Sequence, residues 1–441
     1  MLTNVEPHRS SGILLHEDRF SIRYGDNAQD CLCRVTFDLT RKHHVLIDCL
    51  ESLHKLVTGP SLPWFQPEQP FQVLIPGAAN PIDCHIFGSF RQQIIGNDPS
   101  VFLTLSALGP STLIDHGSQL YKVSAGIANF GPYPVGATRT IRLEDATWSF
   151  ELTPVEESRL LYPPGIQNDS YRFTQHLLLQ RSDGGGFSCA SAREALNTLS
   201  TFLSFCAERW IAPVLIQGFD QSGTAAMEEW GTAHIDPSEG HGGWLDEYHG
   251  SSTMAEAFPG FSTLMQDPEW RRTIRTSVYW YVRADTNHVG PDGAIILVQT
   301  ALERLAWHIL VNVKHAISED GFSKLAAADQ LRLVLSVCSV PLELPSLLTQ
   351  LTAIATRQKG EQDWVDGPQA FVAVRNQIVH PGKRQRVTGG RSFFEALQLG
   401  KWYLELILLR SFSFNGSYAC RLKIPRWVGS VETVPWARSW A

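Results

Sequence analysis

The segment RNQIVHP, residues 375 to 381, brings together three polar side chains that could act on one ligand. A histidine can accept and release a proton near neutral pH, and an arginine can stabilise a developing negative charge. An asparagine amide can orient the histidine or a phosphate oxygen by hydrogen bonding. Such a set suits general acid and base catalysis beside an anionic group. Arg375, Asn376 and His380 are therefore the candidate catalytic residues.

One amphipathic helix is predicted to carry all three residues. Asp366–Pro368 is typical of a helix start, because Asp caps well and Pro fits the first helical turn. Pro381 disfavours a helical conformation at His380, so the helix should end there. Asn376 lies four positions before His380 and faces the same way. At the negative end of the helix dipole, the protonated form of the imidazole should be favoured.

The spacing from arginine to histidine is not specific by itself, because the chain repeats it. Arg283 and His288 in RADTNH have the same separation, at the predicted frayed end of a helix and with alanine after the arginine. The segment at 375 differs in its adjacent asparagine, its apolar helix and its proline stop. It also runs into a cluster of basic residues, Lys383, Arg384 and Arg386.

The charge near this segment contrasts with that of the whole chain. The net charge is −7, which argues against a nucleic-acid binder that uses its whole surface. Residues 381–426 nevertheless hold nine basic side chains against Glu395 and Glu405. One interpretation is a locally basic surface that attracts a phosphodiester. The other is a helix end where Arg375 and His380 merely pair with acidic neighbours or backbone carbonyls. The residues alone leave both open.

No metal site and no cofactor site is predicted elsewhere. Five potential ligands fall in a glycine-rich stretch without an HExxH pattern, and we interpret them as solvated linker residues: His234, Asp236, His241, Asp246 and His249. The eight cysteines include no CxxC. Cys31 and Cys33 would point the same way on a strand, and we interpret them as buried thiols. Neither a GxSxG elbow nor a dinucleotide fingerprint is present, which disfavours the common hydrolase and Rossmann classes.

The pattern of apolar residues predicts an α+β multidomain protein in three regions. Residues 1–185 read as short strands with frequent turns, a β-rich N-terminal domain that forms a sandwich or irregular barrel. Residues 186–250 add a helix over about 190–210, a strand extension and a linker from 236 to 253. Residues 251–441 contain six capped helical segments and form an all-α helical bundle.

The apolar segments indicate a cytoplasmic, non-membrane protein. The start of the chain lacks the pattern of a secretory signal, and no stretch approaches eighteen uninterrupted apolar residues. The longest helical segment instead shows a core stripe, with Gln299 and Glu303 elsewhere on the helix. The stripe consists of Ile295, Leu302, Leu305, Ile309 and Val313.

RNQIVHP, preceded by SVYWYVRAD and GAIILVQTALERLAWHIL, resembles the HEPN superfamily. The signature of that family is an arginine, a polar residue that is often asparagine, three further residues and a histidine. ALERL and YWYVRA look most like the ApeA-like branch, in which a β-rich N-terminal region precedes a C-terminal HEPN domain. The resemblance covers about residues 255–415, and for residues 1–250 it rests on architecture alone.

The resemblance implies a metal-independent endoribonuclease without a cofactor, a bacterial toxin or anti-phage defence effector that cuts RNA in its own cell. Arg375, Asn376 and His380 would be the catalytic set. Glu303 would support Arg375 or His380, unless it is a solvent-facing i, i+4 partner on its helix. RNA would bind to the basic residues Lys383, Arg384 and Arg386.

Partners follow from the same resemblance. One helix offers a single histidine, and the family commonly dimerises so that two motifs face each other, which predicts a homodimer through the HEPN domain. A phage-derived or other protein trigger would act on the N-terminal domain.

Two alternatives remain for the function. The helical domain could be a non-catalytic HEPN module that binds nucleotide or RNA or serves as a scaffold, although three intact motif residues favour catalysis. Alternatively, the β-rich half is itself the functional unit and recognises a foreign protein or carbohydrate, with the helical domain as its output.

Overall fold

Strands dominate the chain up to residue 230, and helices dominate from residue 250 onward, in a computed structural model of the protein. The structure describes residues 12–38, 44–53, 56, 70–76, 78, 80–87, 91–95, 98–108, 111–131, 140–155, 173–230, 234–237, 243–284, 286–357, 366–380 and 390–437. The prediction of a β-rich N-terminal half followed by a helical C-terminal half is confirmed at this level.

Two packing units divide the chain, and they alternate along the sequence. The β unit comprises residues 1–130, 147–197 and 211–240. The helical unit comprises residues 131–146, 198–210 and 241–441.

The strands in chain order are β1 (Gly12–Tyr24), β2 (Asn27–Asp38), β3 (His44–Cys49), β4 (Phe71–Leu74), β5 (Ile82–Ile86), β6 (Arg91–Ile95), β7 (Asp98–Phe102), β8 (Thr104–Ala107), β9 (Ser111–Asp115), β10 (Lys122–Ala128), β11 (Ile141–Glu144), β12 (Trp148–Pro154), β13 (Phe173–Arg181), β14 (Pro213–Phe219), β15 (Ala225–Trp230), β16 (Ser417–Tyr418) and β17 (Glu432–Thr433).

A closed barrel forms the first part of the β unit. Its strand order is β1-β2-β3-β8-β5-β4, and β1 closes onto β4 where Ile22 pairs with Val73. Alternate residues of β2 from Cys31 to Phe37 are buried, as expected for a strand with one face toward a core. Of the two predicted forms, a sandwich or an irregular barrel, the structure has a barrel, and it is closed. The β unit also contains strands β12-β13-β10-β14-β15-β9 of a second sheet, in that order.

The helices in chain order are α1 (Cys189–Ala207), α2 (Gly250–Gln266), α3 (Pro268–Arg283), α4 (Thr286–Trp307), α5 (Glu319–Ser323), α6 (Ala327–Val337), α7 (Thr349–Arg357), α8 (Gly367–Val379) and α9 (Gly390–Ser411). A π-helical segment, His308–Val313, continues α4. Within the helical unit, α4 packs against α3, α6, α8 and α9, and α9 also contacts α8. Helix α8, which carries the candidate residues, packs against α4, α6 and α9.

The π-helical segment explains where the predicted core stripe fails. Ile295, Leu305 and Ile309 are buried as predicted, but Val313 is 39% exposed. A π-turn contains more residues than an α-turn and rotates the following side chains away from the expected face. The placement of Gln299 outside the core was also wrong, because this side chain is only 1% exposed.

Helix α2 was not predicted, and its sequence contains Pro259 and Gly260, two residues of low helix propensity. The glycine has a packing role. A Cβ at Gly260 would overlap the carbonyl oxygen of Phe412, so the close approach of these two backbones requires the missing side chain. A local reading of helix propensity cannot detect such a contact.

One helical stretch, Val289–Val313, is long and apolar enough by composition to cross a membrane. Its most apolar window has a mean hydropathy of 1.5, and 61% of that window is buried inside the fold. Burial of this kind is typical of a core helix, and it is consistent with a soluble protein.

Candidate functional site

The start of α8 is fixed by the residues that predicted it. Asp366 is the N-cap, and its Oδ1 accepts a hydrogen bond from the backbone N–H of Gln369 at 2.9 Å. The same carboxylate pairs with Arg332 of α6, with 2.6 Å between Nε and Oδ2. Pro368 occupies the first turn. The cap therefore fixes both the helix start and its position against α6.

The end of α8 also follows the prediction. The helix ends at Val379, and His380 is the C-cap with φ −124° and ψ 84°. Its backbone N–H donates to the carbonyl oxygen of Asn376 at 3.0 Å. The His380 side chain is exposed, so its imidazole stands in solvent at the negative end of the helix.

Arg375 and Asn376 are in direct side-chain contact. The Nη1 of Arg375 donates to the Oδ1 of Asn376 at 3.2 Å, and both residues are half-buried. The Nε of Arg375 is buried and has no hydrogen-bond partner within the described part of the chain. A buried Nε cannot reach a ligand, so an anion would have to bind to the terminal Nη groups of this half-buried guanidinium.

The apolar face of α8 lies tightly on α9. Phe371 and Val374 are fully buried. A Cβ at Gly400 of α9 would lie 2.5 Å from Cε2 of Phe371 and 2.9 Å from Cγ1 of Val298 on α4. Glycine at this position lets the three helices meet, and this packing sets the orientation of the polar face of α8.

Glu303 contacts a neighbour on its own helix. Its Oε1 accepts a hydrogen bond from Nε2 of Gln299 at 2.8 Å, one helical turn away. The spacing is that of the predicted i, i+4 alternative, but the partner Gln299 is buried and not solvent-facing. A supporting role of Glu303 for Arg375 or His380 stays a prediction.

The predicted RNA-binding residues lie outside the described residues. They are Lys383, Arg384 and Arg386.

Two other members of the predicted basic surface are buried, which corrects that prediction. Lys401 is 6% exposed and Arg421 is 4% exposed. Lys401 pairs with Glu208 at 2.5 Å, and Arg421 pairs with Glu405 through Nε and Oε2 at 2.9 Å. These charges neutralise buried carboxylates and are not available to a substrate.

Arg421 stands at the centre of this buried network in the helical unit. Its Nη2 also donates to Glu208 Oε2 at 2.8 Å and to the Tyr281 hydroxyl oxygen at 3.1 Å. Burial alone would raise the pKa of Glu208, but the charges of Arg421 and Lys401 outweigh it and hold the pKa at about 2. Burial raises the pKa of Glu405 despite its pairing with Arg421. The network is a structural element of the fold.

Arg304 and His308 form an Arg/His pair that the sequence reasoning missed. They lie four positions apart, His308 is 2% exposed, and neither of its ring nitrogens has a partner among the described residues. Its ring stands edge-on to Trp270 at 4.4 Å between centroids. Burial, with the nearby charge of Arg304, lowers the pKa of His308. The i, i+4 spacing could have indicated this pair. The burial of His308 keeps its imidazole away from solvent.

Arg283 and His288, which repeat the arginine-to-histidine spacing, lie on two different helices. Arg283 is the last residue of α3 and is exposed, with its guanidinium 5.8 Å from the Tyr279 ring. His288 belongs to α4, which begins at Thr286. The two residues therefore do not share one helical face as Asn376 and His380 were predicted to do.

The stretch interpreted as a solvated linker is partly packed. Trp244 is fully buried, and Asp246 is 5% exposed, so the interpretation was wrong for these two residues. The carboxylate of Asp246 accepts hydrogen bonds from the backbone N–H groups of Tyr248, His249 and Gly429. His234 lies 3.7 Å from Asp236, and His241 is outside the described residues. The three hydrogen bonds to Asp246 thus stabilise the local loop structure.

Comparison with known proteins finds similar sequences for two parts of the chain. Residues 267–433 match the model of the YopA C-terminal domain, and residues 134–241 match the model of the YopA central domain. The chain is similar to YopA proteins. A curated relative is the SPbeta prophage-derived uncharacterized protein YopA of Bacillus subtilis (strain 168), 29% identical over 267 residues. The alignment covers 60% of this chain and 58% of the relative. No solved structure matches.

The matched regions include the candidate residues and exclude the barrel. Helices α3 to α9, with Arg375, Asn376 and His380, lie inside the YopA C-terminal match. Strands β1 to β8 lie before both matches. Neither match names a HEPN domain, so the resemblance to that superfamily stays a prediction.

Proposed function

We propose that the helical unit is a HEPN-type domain with metal-independent endoribonuclease activity. The arrangement at the end of α8 carries the proposal. The half-buried Arg375 contacts Asn376, and His380 is exposed one helical turn further on. A charge-stabilising group and a proton-transfer group thus stand on the same helix end, supported by α9 beneath it.

RNA supplies its own nucleophile, which limits what the protein has to provide. His380 accepts the proton of a 2′-hydroxyl, and the 2′-oxygen attacks the adjacent phosphorus. The bond from phosphorus to the 5′-oxygen breaks, and this oxygen leaves with a proton from an acid. Arg375 stabilises the added charge on the phosphate oxygens, and Asn376 orients Arg375. The products are a 2′,3′-cyclic phosphate and a 5′-hydroxyl.

The need for both a base and an acid supports a homodimer. Each chain places one exposed histidine at the end of α8. Two copies related by a twofold axis would bring two such ends together, so that one histidine serves as base and the other as acid. Lys383, Arg384 and Arg386, directly after the motif in sequence, would then hold the RNA backbone on both sides.

The biological setting proposed is a toxin or anti-phage effector in the bacterial cytoplasm. The similar protein of Bacillus subtilis is described as derived from a prophage, and this link to phage supports the proposed setting. The β unit would receive the trigger, a phage-derived or other protein, and restrain the helical unit until then.

Expression in bacteria tests this proposal in cells. We expect the full-length protein, induced at high level or together with a trigger, to arrest growth. Cellular RNA should be cleaved in the arrested cells. His380→Ala at equal protein level should abolish both effects, and Arg283→Ala should preserve them. Arrest that persists with His380→Ala and leaves RNA intact would favour the scaffold alternative.

A further inference from the structure

Three buried cysteines in the barrel lie close enough together to bind one ion. They are Cys31 and Cys33 of β2 and Cys49 of β3, and their Sγ atoms all lie within 4.8 Å of one another. Their side chains are almost completely buried, with exposures of 0%, 0% and 4%. Within the described ranges, no other three His, Cys, Asp or Glu residues are grouped as potential ligands.

The strand register brings the three thiols together. Cys31 and Cys33 are two residues apart on β2 and therefore project from the same face. Cys33 is directly opposite Cys49 in the antiparallel ladder. The neighbouring pair is hydrogen-bonded, because the N–H of Leu50 donates to the carbonyl of Leu32 at 2.8 Å. Cys33 and Cys49 thus form a non-hydrogen-bonded pair, the type in which facing side chains are closest.

The surroundings of the sulfurs favour a soft ion over a hard one. The backbone carbonyl of Glu51 lies 3.5 Å from Cys31 Sγ, and the carboxylate of Glu51 accepts from the Leu32 N–H at 3.2 Å and pairs with Arg19 at 2.6 Å. Both of its oxygens are thereby occupied. Ions such as Mg²⁺ and Ca²⁺ need several oxygen ligands. Sulfur ligands select thiophilic ions.

We propose that Cys31, Cys33 and Cys49 bind a thiophilic d10 metal ion, of the class that includes Zn²⁺, Cd²⁺ and Cu⁺, through their three sulfur atoms. Metal–sulfur bonds of about 2.3 Å put the sulfurs of a planar three-coordinate site about 4 Å apart, within reach of small side-chain rotations. The thiols lose their protons on binding. The ion would tie β2 to β3 and stabilise the barrel.

The barrel contains its own matched control. Cys84 of β5 is fully buried like the other three, but it is not part of the group whose sulfurs lie within 4.8 Å. If the four cysteines were merely buried thiols, substitution of Cys84 would affect metal binding as substitution of the other three does. If the group binds metal, only substitutions of its three members should weaken metal binding.

Cadmium titration of the reduced, metal-stripped full-length protein tests the proposal. We expect a sulfur-to-cadmium charge-transfer absorption that saturates at one ion per chain, and a native mass that shows one bound cadmium. Cys31→Ser, Cys33→Ser and Cys49→Ser should each weaken binding at least tenfold, while Cys84→Ser should bind as wild type does. Cadmium should also raise the thermal midpoint of wild type and of Cys84→Ser.

Three results would overturn the proposal: no absorption in wild type at stoichiometric cadmium, equal loss in Cys84→Ser, or unchanged binding in all three variants of the group. Circular dichroism shows whether each variant is folded. If a serine variant is unfolded, the wild-type measurements of stoichiometry and thermal midpoint still decide, because they need no substitution. The failure of this site would leave the proposed ribonuclease untouched, since none of its residues belongs to the barrel.

Discussion

Arg375 donates a hydrogen bond from Nη1 to Oδ1 of Asn376, at 3.2 Å, next to it on the last turns of α8. In the proposed ribonuclease, this contact makes Asn376 a positioning residue for the guanidinium. Asn376→Ala should therefore lower the single-turnover rate of RNA cleavage about 10- to 100-fold, the range expected for a misplaced reacting group, with little change in RNA affinity. Gln369→Ala, on the first turn of the same helix, should cleave at the wild-type rate. Equal cleavage rates for Asn376→Ala and wild type would show that Asn376 does not position the Arg375 guanidinium.

The buried pairing of Arg421 with Glu405 predicts a large loss of stability on substitution. Arg421→Met leaves two buried carboxylates without their main partner, and we expect a loss of about 3–5 kcal/mol in the free energy of unfolding. Arg272→Met, at an exposed position of α3, should change it by less than about 0.5 kcal/mol. Urea unfolding followed by tryptophan fluorescence measures both. Similar midpoints for the two variants would show that the network contributes little.

Glu208 should make the helical unit sensitive to acid. Its folded-state pKa of about 2 lies below the value of about 4.3 for an unfolded chain. The stability it contributes is thus present above about pH 4.3 and is lost as the pH falls toward 2. Glu208→Gln should show a lower thermal midpoint at pH 7 and a smaller further decrease between pH 5 and pH 3 than wild type.

Glu405→Gln is the control for this pH dependence. Burial raises the pKa of Glu405, so the stability linked to its titration is present at low pH and is lost as the pH rises. In Glu405→Gln, the thermal midpoint should therefore fall between pH 5 and pH 3 at least as steeply as in wild type. A flatter profile in Glu405→Gln than in Glu208→Gln would contradict the assignment.

Close packing at Gly400 predicts that a single methyl group will disturb the candidate site. In Gly400→Ala the new Cβ meets Phe371 of α8 and Val298 of α4, and we expect a loss of about 1–3 kcal/mol in unfolding free energy. Gly390→Ala, where nothing lies within 4 Å, should be neutral or slightly stabilising. Thermal unfolding of both variants is the measurement. A fully stable Gly400→Ala would mean that α8 can move away from α9.

Local signals account for what the sequence could predict. The cap at Asp366 and the stop at Pro381 depend on neighbouring residues, so the bounds of α8 followed from the sequence. The alternation of Cys31 and Cys33 on one strand face followed for the same reason. Their closeness to Cys49 depends on strand register, which a single sequence does not reveal.

Long-range contacts account for what it could not predict. Arg421 was counted as part of a basic surface because its partner Glu208 lies 213 positions away. Helix α2 was missed because the need for Gly260 comes from Phe412. Val313 was assigned to the core because the change from α-helix to π-helix at His308 has no simple sequence signal.

RNA cleavage by the purified protein in EDTA tests the central claim most directly. Single-stranded RNA should be cut to products that end in a 2′,3′-cyclic phosphate, and His380→Ala and Arg375→Ala should each lower the rate at least 100-fold. Arg283→Ala and His288→Ala, with the same spacing split between two helices, should cut as wild type does. If wild type leaves all RNAs intact alone and with a trigger, or if His380→Ala and Arg375→Ala cut as fast as wild type, the ribonuclease assignment is wrong.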